Sequence, residues 1–407
     1  MKYIKLFILV LIFTFVFSGC NDASRVPTQI TDVCVLLGDF SNAKDADLSV
    51  ISSCIDPAIN ANVNFTIYVL DGEPDDQVYT CEYNNGNRIA PDIIRDHYNK
   101  FLKNDLTPQA SSAIPNQKET DILSGLYMAE KHLSKSEADY KKIIIFSTGI
   151  PTAGYINFNA DSTVITGDDK QVDSLIRNLK VKNYLPDLNG IEIQWYNLCE
   201  TKMPQTTPSR PNKVKIESFW TKILKSCGVE EGNIKFDYSI LDSNDSDESV
   251  VYPSVTPILF KNETIEWDFP DEVVKFNPGE ATFCDENAVY ATLKPYAQRI
   301  CEAASNKFII VGSTATYGDK EECLELSLRR AEAVKKVLCD YGVPGDVLMT
   351  YGVGQNEIGD NLTKRVTDKS EDGRFIEDKG KLNRKVMVVD TSTPLGKQLL
   401  DELDNKK

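Results

Sequence analysis

Two kinds of hydrophobic pattern alternate along the first 240 residues of the chain. Short, nearly continuous apolar runs predict buried β-strands, at residues 32–38, 63–70, 142–146 and 191–198. Apolar residues spaced three and four positions apart predict amphipathic helices, at residues 93–101, 121–133 and 219–224. Because this alternation is typical of parallel sheets, we predict that residues 31–240 form an α/β domain with a mostly parallel sheet covered by helices.

A second alternation of strands and helices begins near residue 267 and predicts a smaller α+β domain at residues 267–391. Strands are predicted at residues 273–276, 308–311, 347–351 and 386–389, and helices at residues 284–304 and 324–338. The acidic, Ser- and Asp-rich residues 241–266 indicate a solvated linker, and the polar residues 355–382 indicate an irregular loop that faces a site. The tail, residues 392–407, is predicted to form a short amphipathic helix or to lack regular structure.

The N-terminus has the pattern of an export signal. A basic start precedes an apolar run, residues 6–17, that is too short to span a bilayer comfortably. Phe17-Ser18-Gly19-Cys20 ends this run and resembles a bacterial lipobox. The resemblance implies a cleaved signal peptide (residues 1–19), a lipid such as palmitate on Cys20, and a short tether (residues 20–30) from the membrane anchor. The alternative is an ordinary secretory signal with an unrelated cysteine.

Composition argues against several classes of function. The formal net charge of −16 does not suit nucleic acid, because a phosphate backbone needs a basic surface, or polybasic docking on anionic lipid. The chain has only two histidines, His97 and His132, which leaves little material for a histidine zinc site or a Ser-His-Asp triad. The sequence also has no nucleophile elbow, phosphate-binding loop or paired-acid motif. We therefore predict that the protein is not an enzyme.

Three motifs in the second predicted domain occur in a fixed order. Gly312-Ser313-Thr314-Ala315 ends a buried strand and leads to a helix that carries Leu326-Ser327 and Arg330-Ala331. Tyr351-Gly352-Val353-Gly354 and Asn383-Arg384-Lys385-Val386 follow downstream. Over about residues 267–390, this order resembles OmpA-like peptidoglycan-associated domains. The resemblance implies a βαβαβ arrangement with a mixed sheet, and a peptidoglycan-binding site formed by Arg330, Arg384, Thr314, Leu326 and Asn383.

The resemblance also implies how such a site recognises its ligand. In the family an Asp binds the ammonium of a diaminopimelate side chain, while arginines bind carboxylates through paired hydrogen bonds. Here the Asp position is Ala315, and a family Asn is Cys323. Asp319 and Glu322 are candidates to replace the lost carboxylate. The other interpretation is a wall peptide whose amine is cross-linked.

The first predicted domain carries a different set of motifs. Asp39-Phe40-Ser41-Asn42-Ala43 follows its first strand, Thr120 precedes the predicted helix, and Ser147-Thr148-Gly149 follows a later strand. This set resembles the metal-ion-dependent adhesion site of von Willebrand factor A (VWA) domains and implies a divalent-ion site at Asp39, Ser41 and Thr120. However, Ala43 and Thr148 replace a family Ser and Asp. Because Mg²⁺ prefers a ligand set that includes carboxylates, we favour a degenerate VWA-like domain without metal and predict no cofactor, with weak Mg²⁺ binding as the alternative.

Together these features predict a lipoprotein of the bacterial cell envelope that faces the periplasm or the cell wall. Its partners would be a membrane, through the lipid anchor, and peptidoglycan, through non-covalent binding of the stem peptide, so that it tethers membrane to wall. The VWA-like domain would bind a protein partner or act as a spacer. The alternative is an assembly component of an envelope complex in which both sites are degenerate, as Ala315, Cys323, Ala43 and Thr148 indicate. The other interpretation of Arg330 itself is a surface arginine paired with a nearby acid such as Glu325 or Glu332.

Overall fold

A computed structural model describes residues 28–38, 46–74, 78–159, 169–237, 257–303 and 306–405. The predicted signal peptide, Cys20, Asp39, Ser41 and residues 241–256 of the predicted linker lie outside the described residues. Within the described ranges, no helix is long and apolar enough to cross a membrane. The described residues form two units, and each unit is built on its own sheet.

The first unit contains a six-stranded sheet. Its strands are β1 (Gln29–Leu37), β2 (Asn60–Val69), β3 (Val78–Asn84), β4 (Tyr140–Phe146), β5 (Glu192–Tyr196) and β6 (Ile234–Asp237). They lie in the order β3-β2-β1-β4-β5-β6, and every neighbouring pair is parallel except β2 and β3 at one edge. The prediction of a mostly parallel sheet is confirmed.

Helices cover both faces of this sheet. They are α1 (Ile51–Cys54), α2 (Pro91–Phe101), α3 (Thr107–Ser111), α4 (Ile122–Leu133), α5 (Asp169–Val181) and α6 (Arg210–Ser226), with short turns of other helix types at Leu48–Val50, Leu102–Leu106 and Glu231–Asn233. Cys34 and Leu36 of β1 contribute to the core beneath α4, α5 and α6, whereas Val33, Val35 and Leu37 contribute to the core on the other face. A strand buried on both faces needs apolar side chains at successive positions, and this explains its unbroken apolar run.

The second unit contains a four-stranded mixed sheet. Its strands are β7 (Glu266–Pro270), β8 (Phe308–Ser313), β9 (Leu348–Gly354) and β10 (Lys385–Asp390). Its helices are α7 (Glu286–Glu302), α8 (Lys320–Asp340), α9 (Glu377–Asn383) and α10 (Pro394–Asp404), with a 3-10 turn at Gly345–Val347. The strand order is β7-β10-β8-β9, in which β8 and β9 are parallel and β10 is antiparallel to both of its neighbours. The expected βαβαβ order is therefore present and is extended by α9 and β10.

The first strand of the second unit is not where the hydrophobic pattern predicts it. The prediction of a strand at residues 273–276 is wrong, because the strand is β7 and Phe276 forms only an isolated bridge with Phe283. In β7, buried Trp267 and Phe269 alternate with more exposed residues. Such a half-buried edge strand gives a weaker sequence signal than a continuous apolar run.

The two units contact each other directly. The hydroxyl of Tyr296 on α7 donates to the carbonyl oxygen of Pro204, in the loop after β5. The side-chain amide of Gln205 makes paired hydrogen bonds with the backbone of Ile258, at 2.7 and 2.9 Å. Ile258 and Phe260, at the end of the predicted linker, are part of the first unit's core, whereas Ile265 belongs to the core of the second unit. The prediction of a solvated linker is therefore wrong at these residues.

Candidate functional site

A cleft of about 740 Å³ opens at the carboxyl end of β8. The start of α8, the turn after β7 and the region of α9 form its walls. Three aromatic rings line it, together with four basic and two acidic side chains: Phe276, Tyr317 and Phe375; Lys275, Arg330, Lys381 and Arg384; Asp271 and Glu377. Small or apolar walls come from Ala315, Cys323 and Leu326, and Thr314 lies beside them. Four of the five predicted binding residues therefore meet in one cleft, with Asn383 as the exception.

Helix α8 lies against the sheet so closely that two positions beneath it require glycine. A β-carbon on Gly312 would lie 1.9 Å from the carbonyl oxygen of Ser327, and one on Gly352 would lie 2.5 Å from that of Leu324. A side chain at either position would push α8 away from β8 and β9, because protein interiors are close-packed. This backbone contact fixes the position of Arg330, which follows Ser327 by about one helical turn.

Arg330 is a buried cation that is only 5 % exposed. Its Nε donates to the carbonyl oxygen of Glu280 at 3.0 Å, and a terminal nitrogen donates to that of Asn277 at 3.4 Å. The guanidinium lies over the ring of Phe276, 4.8 Å from its centroid. Among the described residues, no carboxylate forms an ion pair with it. Burial lowers the pKa of Arg330, opposed by the nearby charge of Asp271, and the guanidinium retains N–H donors for a ligand.

Arg384, at the opposite wall, has a different environment. Its Nε lies 3.3 Å from a carboxylate oxygen of Asp271, and a terminal nitrogen pairs with the carboxylate of Glu377. Burial disfavours the charge of Arg384, but the hydrogen bond with Glu377 and the charge of Asp271 raise its pKa. Two internal carboxylates therefore already occupy the guanidinium that was predicted to bind a ligand.

Thr314 and Leu326 both line the cleft, as the motif predicts. The backbone N–H of Thr314 donates to the carbonyl oxygen of Gly354 at 2.9 Å, which holds the end of β8 beside β9. Thr314 is 4 % exposed, and its hydroxyl oxygen has no hydrogen-bond partner among the described residues. A buried hydroxyl without a partner is uncommon, and this one belongs to a residue in the wall of the cleft.

Asn383 does not line the cleft. It is fully buried, and its side-chain amide donates to the carbonyl oxygen of Val366 and to Asp368, both at 2.9 Å. Its oxygen accepts from the backbone N–H of Val366 at 2.9 Å. Asp368 in turn accepts from the backbone N–H of Thr316 at 2.8 Å. With all of these bonds made internally, the side chain of Asn383 holds Val366 and Asp368 in place and has no nitrogen or oxygen atom free to contact a ligand.

Neither of the two acids proposed to replace the family Asp, Asp319 and Glu322, lines the cleft. The carboxylate of Asp319 caps the N-terminus of α8 by accepting from the backbone N–H groups of Glu321 and Glu322. The interpretation of Arg330 as a surface arginine paired with Glu325 or Glu332 is also wrong, because Arg330 is buried and pairs with neither acid in the described ranges. Glu325 pairs with Arg329 instead, at 3.5 Å. The acids in the cleft come instead from the turn after β7 and from α9.

Arg365 is the main residue that sequence reasoning does not identify. One terminal nitrogen donates to the hydroxyl of Ser313 at 2.8 Å, to the carbonyl oxygen of Thr314 at 2.9 Å and to that of Gly354 at 3.2 Å. Burial lowers the pKa of Arg365, opposed by the charge of Asp368. It thus fixes the carboxyl ends of β8 and β9 from behind the cleft. The polar run 355–382 places an arginine there without any periodic signal.

The predicted metal site of the first unit can be followed only at Thr120, because Asp39 and Ser41 lie outside the described residues. The backbone N–H of Thr120 donates to the hydroxyl of Thr152 at 2.9 Å, and its carbonyl oxygen accepts from the backbone of the same residue. In the portion of the chain that the structure describes, no group of three or more His, Cys, Asp or Glu residues could hold a metal ion. A threonine alone does not form a Mg²⁺ site, and its two predicted partners are outside the described residues. Both interpretations, a degenerate site without metal and weak Mg²⁺ binding, therefore stay predictions.

Comparisons with known proteins identify a family for most of the second unit. The OmpA family model matches residues 275–372, and these residues form an OmpA-like domain. The peptidoglycan-associated lipoprotein from Burkholderia pseudomallei is 21% identical over 30% of this chain and 88% of that chain, with a TM-score of 0.23. The periplasmic domain of Helicobacter pylori MotB is 19% identical over 36% and 87%, with a TM-score of 0.24, and an outer membrane protein from Borrelia burgdorferi B31 is 22% identical over 30% and 84%, with a TM-score of 0.21. No curated protein matches the chain.

Proposed function

We propose that the protein binds the stem peptide of peptidoglycan non-covalently through this cleft, and that it does not act as an enzyme. The observation that carries the proposal is the buried guanidinium of Arg330, which has no carboxylate partner among the described residues. A buried cation is costly without an anion beside it, and a ligand carboxylate fits the planar fork of an arginine. The match of residues 275–372 to the OmpA family makes a wall peptide the preferred source of that carboxylate.

A lipid on Cys20 would turn this binding into a tether between membrane and wall. We therefore place the protein in the bacterial cell envelope, anchored to a membrane through Cys20 and facing the periplasm or the cell wall. The VWA-like first unit would serve as a spacer or bind a protein partner. The contact between Tyr296 and Pro204 supports this arrangement, because it holds the cleft-bearing unit against the first unit.

Retention of the purified full chain on peptidoglycan sacculi tests the proposal. We expect Arg330→Ala to lower retention by about tenfold or more, because charge-assisted hydrogen bonds contribute about 1.5–3 kcal/mol. Arg329→Ala is the matched control: it removes the neighbouring arginine of α8, which is half exposed and pairs with Glu325 at 3.5 Å. The control should be retained like the wild type. Equal retention of the two variants, both with wild-type circular dichroism, would rule out the assigned role of Arg330.

The second candidate is an assembly component of an envelope complex, in which the cleft no longer binds the wall. The pairing of Arg384 with Asp271 and Glu377 favours it, since this arginine is already neutralised by the protein itself. The same assay separates the two candidates. A correctly folded wild-type chain that sacculi do not retain, and that is captured with other envelope proteins through its first unit, would support the assembly role.

A further inference from the structure

The two acids of the cleft are not available to a ligand cation. Asp271 and Glu377 both pair with Arg384, and the hydrogen bond from Arg384 lowers the pKa of Glu377. The lining as a whole has four basic and two acidic side chains, a formal excess of two positive charges. An ammonium group that entered the cleft would therefore meet repulsion from Arg330 and Lys275, which have no ion pair in the described part of the chain, without gaining a free carboxylate.

The loop between β8 and α8 supplies no free carboxylate either. Asp319 and Asp368 do not line the cleft, and both are bound to other groups of the protein. Asp319 caps α8 through the backbone N–H groups of residues 321 and 322. Asp368, which is buried behind the loop, binds Thr316 and Asn383, and hydrogen bonds from those residues outweigh its burial and lower its pKa. At the position of the family Asp, the loop residue that lines the cleft is Ala315, which contributes only a methyl group.

What the cleft offers in place of an ammonium site is suited to an amide. The rings of Phe276, Tyr317 and Phe375 give it apolar walls, and the centroids of Tyr317 and Phe375 lie 5.4 Å apart. The unpartnered hydroxyl of Thr314 can both donate and accept a hydrogen bond. An amide is uncharged and has one donor and one acceptor, so it can pair with this hydroxyl and needs no carboxylate beside it. An ammonium buried in the same place without a free carboxylate would be costly.

We infer that the cleft takes a wall-peptide carboxylate whose neighbouring amine is acylated, as it is in a peptide cross-link, rather than one with a free amine. Arg330 binds the carboxylate, and the amide of the acylated amine lies against Thr314 and Ala315. The inference rests on the proposed function of the same cleft and specifies its ligand. It assigns the protein to the cross-linked part of the wall.

Chemically modified sacculi test this assignment with the full chain, because the first unit packs against the unit that bears the cleft. Acetic anhydride converts the free amines of one sample to acetamides, and carbodiimide with ammonia converts the free carboxylates of a second sample to amides. We expect acetylation to leave retention within about twofold of that on untreated sacculi, and amidation to lower it by about tenfold or more. Arg330→Ala measures the non-specific background.

The outcomes separate the inference from the proposed function. Retention on untreated sacculi that falls about tenfold after acetylation would overturn the inference and leave wall binding intact. Absence of retention on every sample would overturn both. The variant Ala315→Asp gives an independent check, because it restores a carboxylate to the loop. In this variant acetylation of the sacculi should lower retention. Equal retention of the variant on acetylated and untreated sacculi would contradict the inference that the amide lies against Ala315.

Discussion

The two walls of the cleft each present an arginine, but the two arginines have opposite surroundings. Arg330, on α8, is more deeply buried and is hydrogen-bonded to two backbone carbonyl oxygens. Arg384, at the entrance to β10, is partly exposed and is paired with Asp271 and Glu377. Both residues belong to motifs that imply carboxylate binding. The difference shows that the elements packed against an arginine, and not its motif position, decide whether it remains available to a ligand.

The two walls are also coupled through one acid. Asp271 lies close enough to Arg330 to oppose the lowering of its pKa, yet its carboxylate pairs with Arg384. Arg384 therefore keeps Asp271 engaged, so that Arg330 stays without a carboxylate partner among the described residues. In this view Arg384 acts on ligand binding indirectly, as a positioning residue for the acids of the cleft.

Displacement of the wall that carries Arg330 should abolish binding through this arginine. Gly312→Ala would place a β-carbon 1.9 Å from the carbonyl oxygen of Ser327, so α8 must move away from the sheet. Overpacking typically costs about 1–3 kcal/mol, and we expect about 3 kcal/mol here because the backbone of α8 cannot move aside as a flexible side chain can. We expect a loss of that size in the free energy of unfolding, measured by urea denaturation, together with loss of retention on sacculi.

Gly345→Ala is the control for that substitution, since its β-carbon would lie 3.7 Å from the sulfur of Cys339, an ordinary contact. Its free energy of unfolding should stay within about 1 kcal/mol of the wild-type value. If Gly312→Ala is equally mild, then α8 does not depend on close backbone contact, and the fixed position assigned to Arg330 is wrong.

Replacing each arginine by methionine tests how much each one contributes to the stability of the free protein. Arg384→Met leaves Asp271 and Glu377 without their partner, and we expect it to lower the free energy of unfolding by about 1–2 kcal/mol. Arg330→Met removes a buried cation that has no ion pair and keeps an apolar stem, so its stability should stay within about 1 kcal/mol of wild type. Urea denaturation checks both values. The reverse order of stability would mean that the hydrogen bonds of Arg330 to the carbonyl oxygens of Glu280 and Asn277 stabilise the free protein more than the ion pairs of Arg384 do.

Much of the fold is predictable because its signals are local. The apolar runs of β1 and β8 identify strands buried on both faces, and the spacing of apolar residues identifies α8. The same signals fail at β7, where the alternation of buried and exposed residues extends over only a few positions. Residues 273–276 are more apolar than β7, and the pattern therefore predicts the strand there. Local pattern therefore predicts central elements better than edge elements.

The cleft is less predictable because its character depends on residues distant in sequence. The motifs identify Thr314, Leu326 and Arg330, which lie on one strand–loop–helix segment. They do not reveal that Asp271 pairs with Arg384, which lies 113 positions further along the chain. Nor do they show that Asn383 points into the protein, which depends on the path of residues 355–382. Pairing between distant segments is set by tertiary packing and leaves no local periodicity.

The hydroxyl of Thr314 should have the smallest effect, and its removal should change stability and ligand binding in opposite directions. Thr314→Val removes a buried oxygen that has no partner among the described residues, so the free energy of unfolding should rise by about 1 kcal/mol. Retention on sacculi should fall about fivefold, because the ligand loses a hydrogen bond. Thr363→Val is the matched control, since its buried hydroxyl also has no partner in the described ranges but does not line the cleft. It should gain similar stability with unchanged retention, and a parallel loss of retention in both variants would place the ligand elsewhere.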